Sequence, residues 1–568
     1  MKTAKTLFVL LFLLSGVLCR GEYFYQDDPE IAALEHIGRR MKKVLPFSSF
    51  PVHGGDILDY ADSLLSDPAS ASLNETERAM LEDIAAALEE QRDREILLKG
   101  GMALAYEQRL STGPFTIDGE ETPNGEDFRR AFQNFSPVLR LDAGIGVFDG
   151  PWVAGRIDIA PAWDNDFSPL SNFFTEVNIT YDILKRGVFA WNGRYLNFFL
   201  GRDTVHWGNP AGSTLYPSAL LPYLDSVRLN VPLGPFSFDY MLASIMPKKA
   251  GHDVDSAVER DYPNKPVTGP HSGPLGDHFG FVNNQPDESP SVILLAGHRF
   301  QWNFGRLKAG IGGTVVYARS NNEFLITDML PIMIYHNADS VPNNLTMILD
   351  AQWTILSGLS LSAMLGFDDI SARTFGIPDG DVPTIPAGVL QLEYSRAGGA
   401  LSQYYMLEGG YTHYLWGNFG YTDNPETWYG VYLARGIYRY APNKEAVLLP
   451  LTSPYGPGAL WGKLKTAFHF PRRNISAGAE LLFLAKNSGA NLVDTPYRVD
   501  EGIRGYDRWF LALDVPLAYT WKSLEFSFSP ALLWGSGGHA LECTLGLKWT
   551  LEGGAYLSVP RFGSRSRE

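Results

Sequence analysis

From about residue 135 to the C-terminus, apolar and polar residues alternate with a period of two. Leu524, Phe526 and Phe528 stand between Ser523, Glu525, Ser527 and Ser529. Farther on, Leu541, Cys543, Leu545, Leu547 and Trp549 stand between Glu542, Thr544, Gly546, Lys548 and Thr550. Successive side chains of a strand point to opposite faces, so each such strand has one greasy and one polar side. That suits a wall with lipid outside and water inside. The pattern predicts strands at 102–110, 137–148, 152–163, 172–185, 188–203, 223–233, 235–246, 291–304 and 306–319. It continues at 345–356, 358–369, 386–397, 401–415, 427–440, 459–470, 474–486, 507–521, 523–534 and 540–550, with a last piece at 554–562. The expected fold class is an all-β transmembrane antiparallel β-barrel of about 18 strands, an even number of the kind bacterial barrels use. Short links at Leu233-Gly234-Pro235, Gly305 and Ser357-Gly358 read as periplasmic turns, and long links at 247–289, 320–343, 371–385 and 487–506 as surface loops. Trp152, Trp163, Tyr223, Trp416, Trp428, Tyr438, Trp461 and Trp534 fall near strand ends, where interfacial aromatic girdles sit.

The periodicity changes ahead of the strands. Leu34, Ile37, Met41, Val44 and Leu45 recur at helical spacing, a second helix is expected over Asp56–Leu65, and a third starts near Asn74. Glu77 stands three residues past Asn74 as a capping-box partner, and Met80, Leu81, Ile84, Leu88 and Ile96 give that helix an apolar stripe. Three short amphipathic helices predict a small helical bundle on the periplasmic mouth of the barrel. Before them, Lys2 and Lys5 precede the apolar run Leu7–Leu14 and the exit Ser15-Gly16-Val17-Leu18-Cys19, an export signal. The expected organisation is a signal peptide at 1–21, a periplasmic helical bundle at 22–100 and an outer-membrane barrel at 101–568.

Composition narrows the picture. Charged residues are 19% of the 568, aromatics 13%, and there are 57 Gly. Outside the signal no apolar run is long enough for a membrane helix. The net charge of -16 argues against nucleic acid, whose phosphates need a basic stripe. After signal cleavage near Cys19–Gly21 only Cys543 is left, so no internal disulfide forms. His252, His271 and His278 lack ligand-type spacing, so neither a metal nor a cofactor is expected.

Four stretches carry a resemblance. They are Gly201-Arg202-Asp203-Thr204-Val205-His206-Trp207-Gly208-Asn209-Pro210-Ala211-Gly212-Ser213-Thr214-Leu215; Gly297-His298-Arg299-Phe300-Gln301-Trp302, followed by Leu307 to Tyr317-Ala318-Arg319; Leu330-Pro331 through Asn343-Asn344 to Asp350, then Asp368-Asp369; and Pro450-Leu451-Thr452-Ser453-Pro454-Tyr455-Gly456-Pro457. With the helix, Pro46-Phe47-Ser48-Ser49-Phe50-Pro51, helix pattern before them, they resemble the Wzi family of outer-membrane capsule assembly proteins. The resemblance implies an 18-stranded barrel with a periplasmic helical bundle, and a role in binding, anchoring or organising surface polysaccharide. Arg202, Asp203, His206, Trp207, His298, Arg299, Arg319, Asp350 and Asp368 are its motif or lumen residues.

Sugars are held by polar groups that hydrogen-bond hydroxyls and by aromatic faces. Tyr421, Asp423, Asn424 and Trp428, and Tyr497, Arg498, Arg504 and Tyr506, offer such groups on expected surface loops. Arg202 and Asp203 are expected to form a buried pair in the lumen, whereas the neighbours Asp368 and Asp369 point to opposite faces of a regular strand. The rival on the same fold is a porin or uptake channel for small solutes. No Gly-x-Ser-x-Gly elbow is present, so an enzyme is not expected; the pairs that sequence proximity offers such an enzyme are His206 with Ser213 or His298 with a nearby Ser. The expected partners are outer-membrane lipid and lipopolysaccharide or an equivalent, surface polysaccharide and the barrel-assembly machinery, and the expected location is the bacterial outer membrane.

Overall fold

The computed structural model describes residues 23–93, 96–112, 139–159, 184–193, 195–210, 213–217, 221, 223–245, 292–319, 343–368, 370, 384–398, 401–421, 429–432, 434–438, 446–470, 473–487 and 505–557. The leader at 1–21 lies outside them. Three helices come first, α1 (Pro29–Arg40), α2 (Gly54–Ser66) and α3 (Glu75–Arg92). The wall follows as β1 (Ile96–Ser111), β2 (Leu139–Gly146), β3 (Pro151–Ile159), β4 (Leu184–Gly193), β5 (Leu196–Asp203) and β6 (Leu224–Leu233). It continues with β7 (Phe236–Ser244), β8 (Val292–Asn303), β9 (Leu307–Arg319), β10 (Asn343–Leu356), β11 (Leu359–Phe367) and β12 (Pro386–Gly398). It ends with β13 (Leu401–Thr412), β14 (Ala459–Phe470), β15 (Ile475–Lys486), β16 (Arg508–Asp514 and Leu517–Trp521), β17 (Leu524–Gly535) and β18 (Gly538–Leu557). Each strand pairs antiparallel with the next, and β18 pairs with β1 from Glu542↔Ser111 to Leu557↔Ile96, closing an antiparallel barrel of 18 staves. Both pieces of β16 pair with β15 and β17, so Val515-Pro516 interrupts one stave and does not start another.

The alternation in the sequence is the wall itself. On β18, Leu541, Leu545 and Leu547 are 53%, 44% and 41% exposed on the outward face, whereas Ala540 is buried inward. Several sequence expectations change. The wall begins at Ile96, so that residue belongs to a strand and not to the third helix. Residues 188–203 form not one strand but the hairpin β4–β5, and Asn192-Gly193 ends β4 just before the turn. Residues 429–432 and 434–438 pair in two-stranded sheets outside the wall, and β13 pairs directly with β14. The piece from 554 is the end of β18. The girdle also differs. Trp152, Trp416 and Trp461 are buried inward, and Tyr223 is buried; Trp163 and Trp428 lie outside the described residues. Outward aromatics cluster near the short turns instead, at Trp191, Tyr195, Trp302, Phe304, Trp353 and Trp521, with Trp509 and Trp534 at the far end.

The helices dock on the short-turn end. Leu34, Ile37, Met41, Val44 and Leu45 are buried, as their spacing predicts. Asn74 and Glu77 form the reciprocal capping box. Val44 N donates to Gly305 O at 2.8 Å, Thr354 Oγ1 to Lys43 O at 3.0 Å, and Lys308 Nζ to Phe47 O at 3.0 Å. Gly358 N donates to Arg39 O at 2.8 Å from a turn at φ +83°. A Cβ there would stand 2.4 Å from Ser395 O, so only glycine brings this turn against the head. Arg39 reaches into the lumen, 3.2 Å from Glu393, while its Nε donates to Ser395 Oγ at 3.0 Å. Among titrating groups of the head, burial lowers His53 to about 4, which fits a neutral ring whose Nε2–H donates to Phe148 O and whose Nδ1 accepts from Gly55 N. Burial, then the carboxylates of Asp59 and Asp149, raise Asp56 to about 7.

Candidate functional site

Beyond Asp203 the chain leaves the wall and turns into the lumen. His206-Trp207 pairs as a short strand with Ser49-Phe50 of the head. Val205, Trp207, Leu215, Tyr216 and Leu221 are buried in one cluster with Tyr414, Leu415, Trp416, Leu451, Tyr455 and Trp461. The Gly/Pro-rich stretch cannot form a periodic element, so its polar groups are met one by one. Thr214 Oγ1 donates to Trp207 O at 2.7 Å, Tyr216 Oη to Ile348 O at 3.2 Å and Trp416 Nε1 to Thr452 Oγ1 at 3.2 Å. Ser213 Oγ donates to Glu408, which also accepts from Trp461 Nε1 at 2.9 Å. The stretch is an aromatic plug across the part of the lumen walled by β6–β18.

Beneath the plug, charge is paired inside the wall. Arg299 Nη2 and Nε lie 2.7 and 3.0 Å from the two Asp350 oxygens, and neither side chain is exposed. The guanidinium stands 5.8 Å from the Tyr216 ring centroid and donates from Nη1 to Gln301 at 2.9 Å. Gly310 makes room: its Cβ would meet Asp350 Oδ2 at 2.4 Å and Arg299 Nη2 at 2.5 Å. Asp203 accepts from Tyr25 Oη at 3.1 Å, Arg186 Nε at 3.0 Å and Arg228 Nη2 at 3.2 Å. The expected Arg202–Asp203 pair is therefore corrected. Adjacent strand residues face opposite sides, so Arg202 points outward and forks onto Asp225 at 2.7 and 3.1 Å, with Tyr223 beneath it at 4.0 Å.

The other motif residues divide. His206 and Trp207 are part of the plug, and Asp368 Oδ2 accepts from Gly417 N at 3.0 Å beside it. His298 shares the outward face with Phe300 and Trp302 and is not a lumen residue. Arg319 ends β9, and Tyr421 ends the two-stranded sheet strand 418–421. Tyr506 is 40% exposed at the long-loop end. Asp369, Asp423, Asn424, Trp428, Tyr497, Arg498 and Arg504 lie outside the described residues. Glu393, Glu408, Asp239, Arg228 and Lys308 are buried contributors that sequence reading missed. Their signal was present: each is a charged residue on the polar parity of its strand.

No family model matches the chain, and no curated protein matches it. Among solved structures, it is similar to Wzi of Escherichia coli, an outer-membrane protein involved in group 1 capsule assembly and a carbohydrate-binding β-barrel. The TM-score is 0.54 at 12% identity, covering 95% of this chain and 100% of that one. OccK9 (OpdG) of Pseudomonas aeruginosa matches over 80% of this chain and 98% of its own, at 14% identity and a TM-score of 0.39. The resemblance carried by the motifs is thus matched by the backbone, and the chain has the fold of an outer-membrane β-barrel, shared with Wzi.

Proposed function

We propose that the protein is a non-enzymatic outer-membrane barrel that binds, anchors or organises surface polysaccharide, with its N-terminal helices as a bundle in the periplasm. The observation that carries this reading is the plug. A diffusion channel needs an open, water-filled lumen. Here Trp207, Tyr216, Trp416 and Trp461 pack across a large part of the bore, and the head is tied to the turns beneath it. The orientation follows from the connections, since short turns face the periplasm and long loops the outside in barrels of this kind. The long connections would then meet the polysaccharide, lipid and lipopolysaccharide would surround the wall, and the barrel-assembly machinery would insert it. A non-enzymatic role is supported at one of the two pairs that hydrolysis could use. Ser213 Oγ is committed to Glu408, and His206 packs its ring on Phe50.

Two measurements on the purified, folded protein test the reading together. Retention of acidic and neutral bacterial polysaccharides on immobilised protein is expected, with no stable large conductance in planar bilayers. A stable large conductance with no retention of any polysaccharide overturns the proposal in favour of a porin.

A further inference from the structure

Two cavities flank the head, and their polar linings differ in kind. The one between the head and the turns of β6–β9, about 410 Å³, is lined mostly by groups that satisfy one another, the buried Nε of Arg228 excepted. Asp239 accepts from Ser49 and Asn230, and Gln301 accepts from Ser48 and Arg299 while donating to Pro46 O. Such a site has little left for a ligand.

The second cavity, about 330 Å³, lies between the segment Tyr23–Glu30 and the lumen face of β1–β4. Three guanidinium groups converge there, those of Arg140, Arg156 and Arg186. Two are committed. Arg156 forks onto Asp158 at 2.9 and 2.8 Å, and Arg186 holds Asp203 at 3.0 Å with its guanidinium 4.1 Å from the Tyr25 ring centroid. Arg140 is held more loosely. It forms an ion pair with Asp158 at 3.7 Å, beyond hydrogen-bonding range, and its Nε, closed off from solvent, has no hydrogen-bond partner. About 30% of its side chain is still exposed. Two residues along the same face, Asp142 lines the cavity and makes no hydrogen bond or ion pair among the described residues. Tyr23 and Trp152 supply aromatic surface.

The part of the Arg140 guanidinium that is still exposed in the cavity suits a planar two-oxygen acceptor, that is, a carboxylate. A neighbouring carboxylate repels a bare anion and accepts from hydroxyls. A ligand that meets both carries a carboxylate and hydroxyls on one small frame, and a volume of this size accommodates a small molecule. Resting on the polysaccharide reading above and naming its chemistry, we propose that this pocket, at the periplasmic end of the lumen and separate from the long connections, binds a single hexuronate unit of an acidic polysaccharide, its carboxylate on Arg140 and a ring hydroxyl on Asp142.

The test is calorimetric titration of the full-length folded protein in detergent with D-glucuronate, D-glucose and acetate. Heat-modifiability on SDS gels checks the fold of each variant. Glucuronate is expected to bind more tightly than either control. Arg140→Gln should weaken glucuronate at least tenfold, and Asp142→Asn should narrow the preference for glucuronate over acetate. Glucuronate bound no better than acetate by the wild type, or bound equally by wild type and Arg140→Gln, overturns the proposal. Polysaccharide retention measured in parallel separates the two readings. Retention without Arg140-dependent glucuronate binding removes the pocket and leaves the anchor; Arg140-dependent binding without retention removes the anchor and leaves the pocket.

Discussion

The Arg299–Asp350 pair is the sharpest place to perturb the molecule. Both side chains are wholly buried, joined by two N–O contacts of 2.7 and 3.0 Å. Asp350→Ala strands the guanidinium next to Tyr216 and Gln301 with no hydrogen-bonded anion, Asp239 acting on it only through space. Breaking a buried pair from one side costs about 3–5 kcal/mol, because the remaining charge is neither hydrated nor paired. Replacing both partners by apolar residues of similar volume removes that penalty and is often close to neutral. Asp350→Ala is therefore expected to lower the stability of the folded barrel by about 3–5 kcal/mol, and Arg299→Met with Asp350→Leu to restore most of it. The assay is urea titration in lipid vesicles, followed by tryptophan fluorescence and by gel mobility without boiling. A single variant as stable as wild type, or a double variant no better than the single one, refutes the reasoning.

Trp207→Ala empties the centre of the plug and should cost about 3–5 kcal/mol, with bursts of conductance in planar bilayers that wild type lacks. Arg39→Ala removes the contacts to Glu393 and Ser395; the head should become cleavable by protease at low dose while the barrel stays resistant. For Asp56 the folded value rises from 3.8 to about 7, so its contribution is whole below 3.8 and is lost as pH climbs through 7. Asp56→Asn should gain on wild type over that window, read as slower hydrogen exchange in α2 at pH 8 than wild type but not at pH 4. His53, lowered to about 4, runs the other way and loses its contribution as pH falls from 6.5 towards 4. The comparison is therefore made between variant and wild type at each pH.

The wall was legible because lipid and water impose one rule on every strand, and Leu541 to Trp549 obey it residue by residue. The errors have local causes. Trp152 and Trp461 were placed in a girdle by their distance from strand ends, although they share parity with Arg156 and Lys463 and so face inward. Asn192-Gly193, a dipeptide typical of turns that here ends β4, was read through as part of one long strand. Ile96-Leu97-Leu98 is a short apolar run that fits helix and strand equally, and pairing with β18 decides it. Residues 429–438 have strand-like patterning, but no local signal separates a stave from a hairpin of an excursion. The plug was least legible. Trp207 meets Trp416 and Trp461 across more than two hundred residues, and no periodicity reports such a meeting.

The outward fork of Arg202 onto Asp225 has a consequence for the surrounding bilayer. It sits near the far end of β5, a stave of 8 residues, whereas β18 has 20. Eight residues rise about 26 Å along the strand, and a tilt near 40° leaves a vertical height of about 20 Å. Charges on that face belong among headgroups and not acyl chains. On this flank the oily belt is therefore lower than on the β18–β1 flank, so the leaflets pinch beside β5 or the whole cylinder leans to share the mismatch.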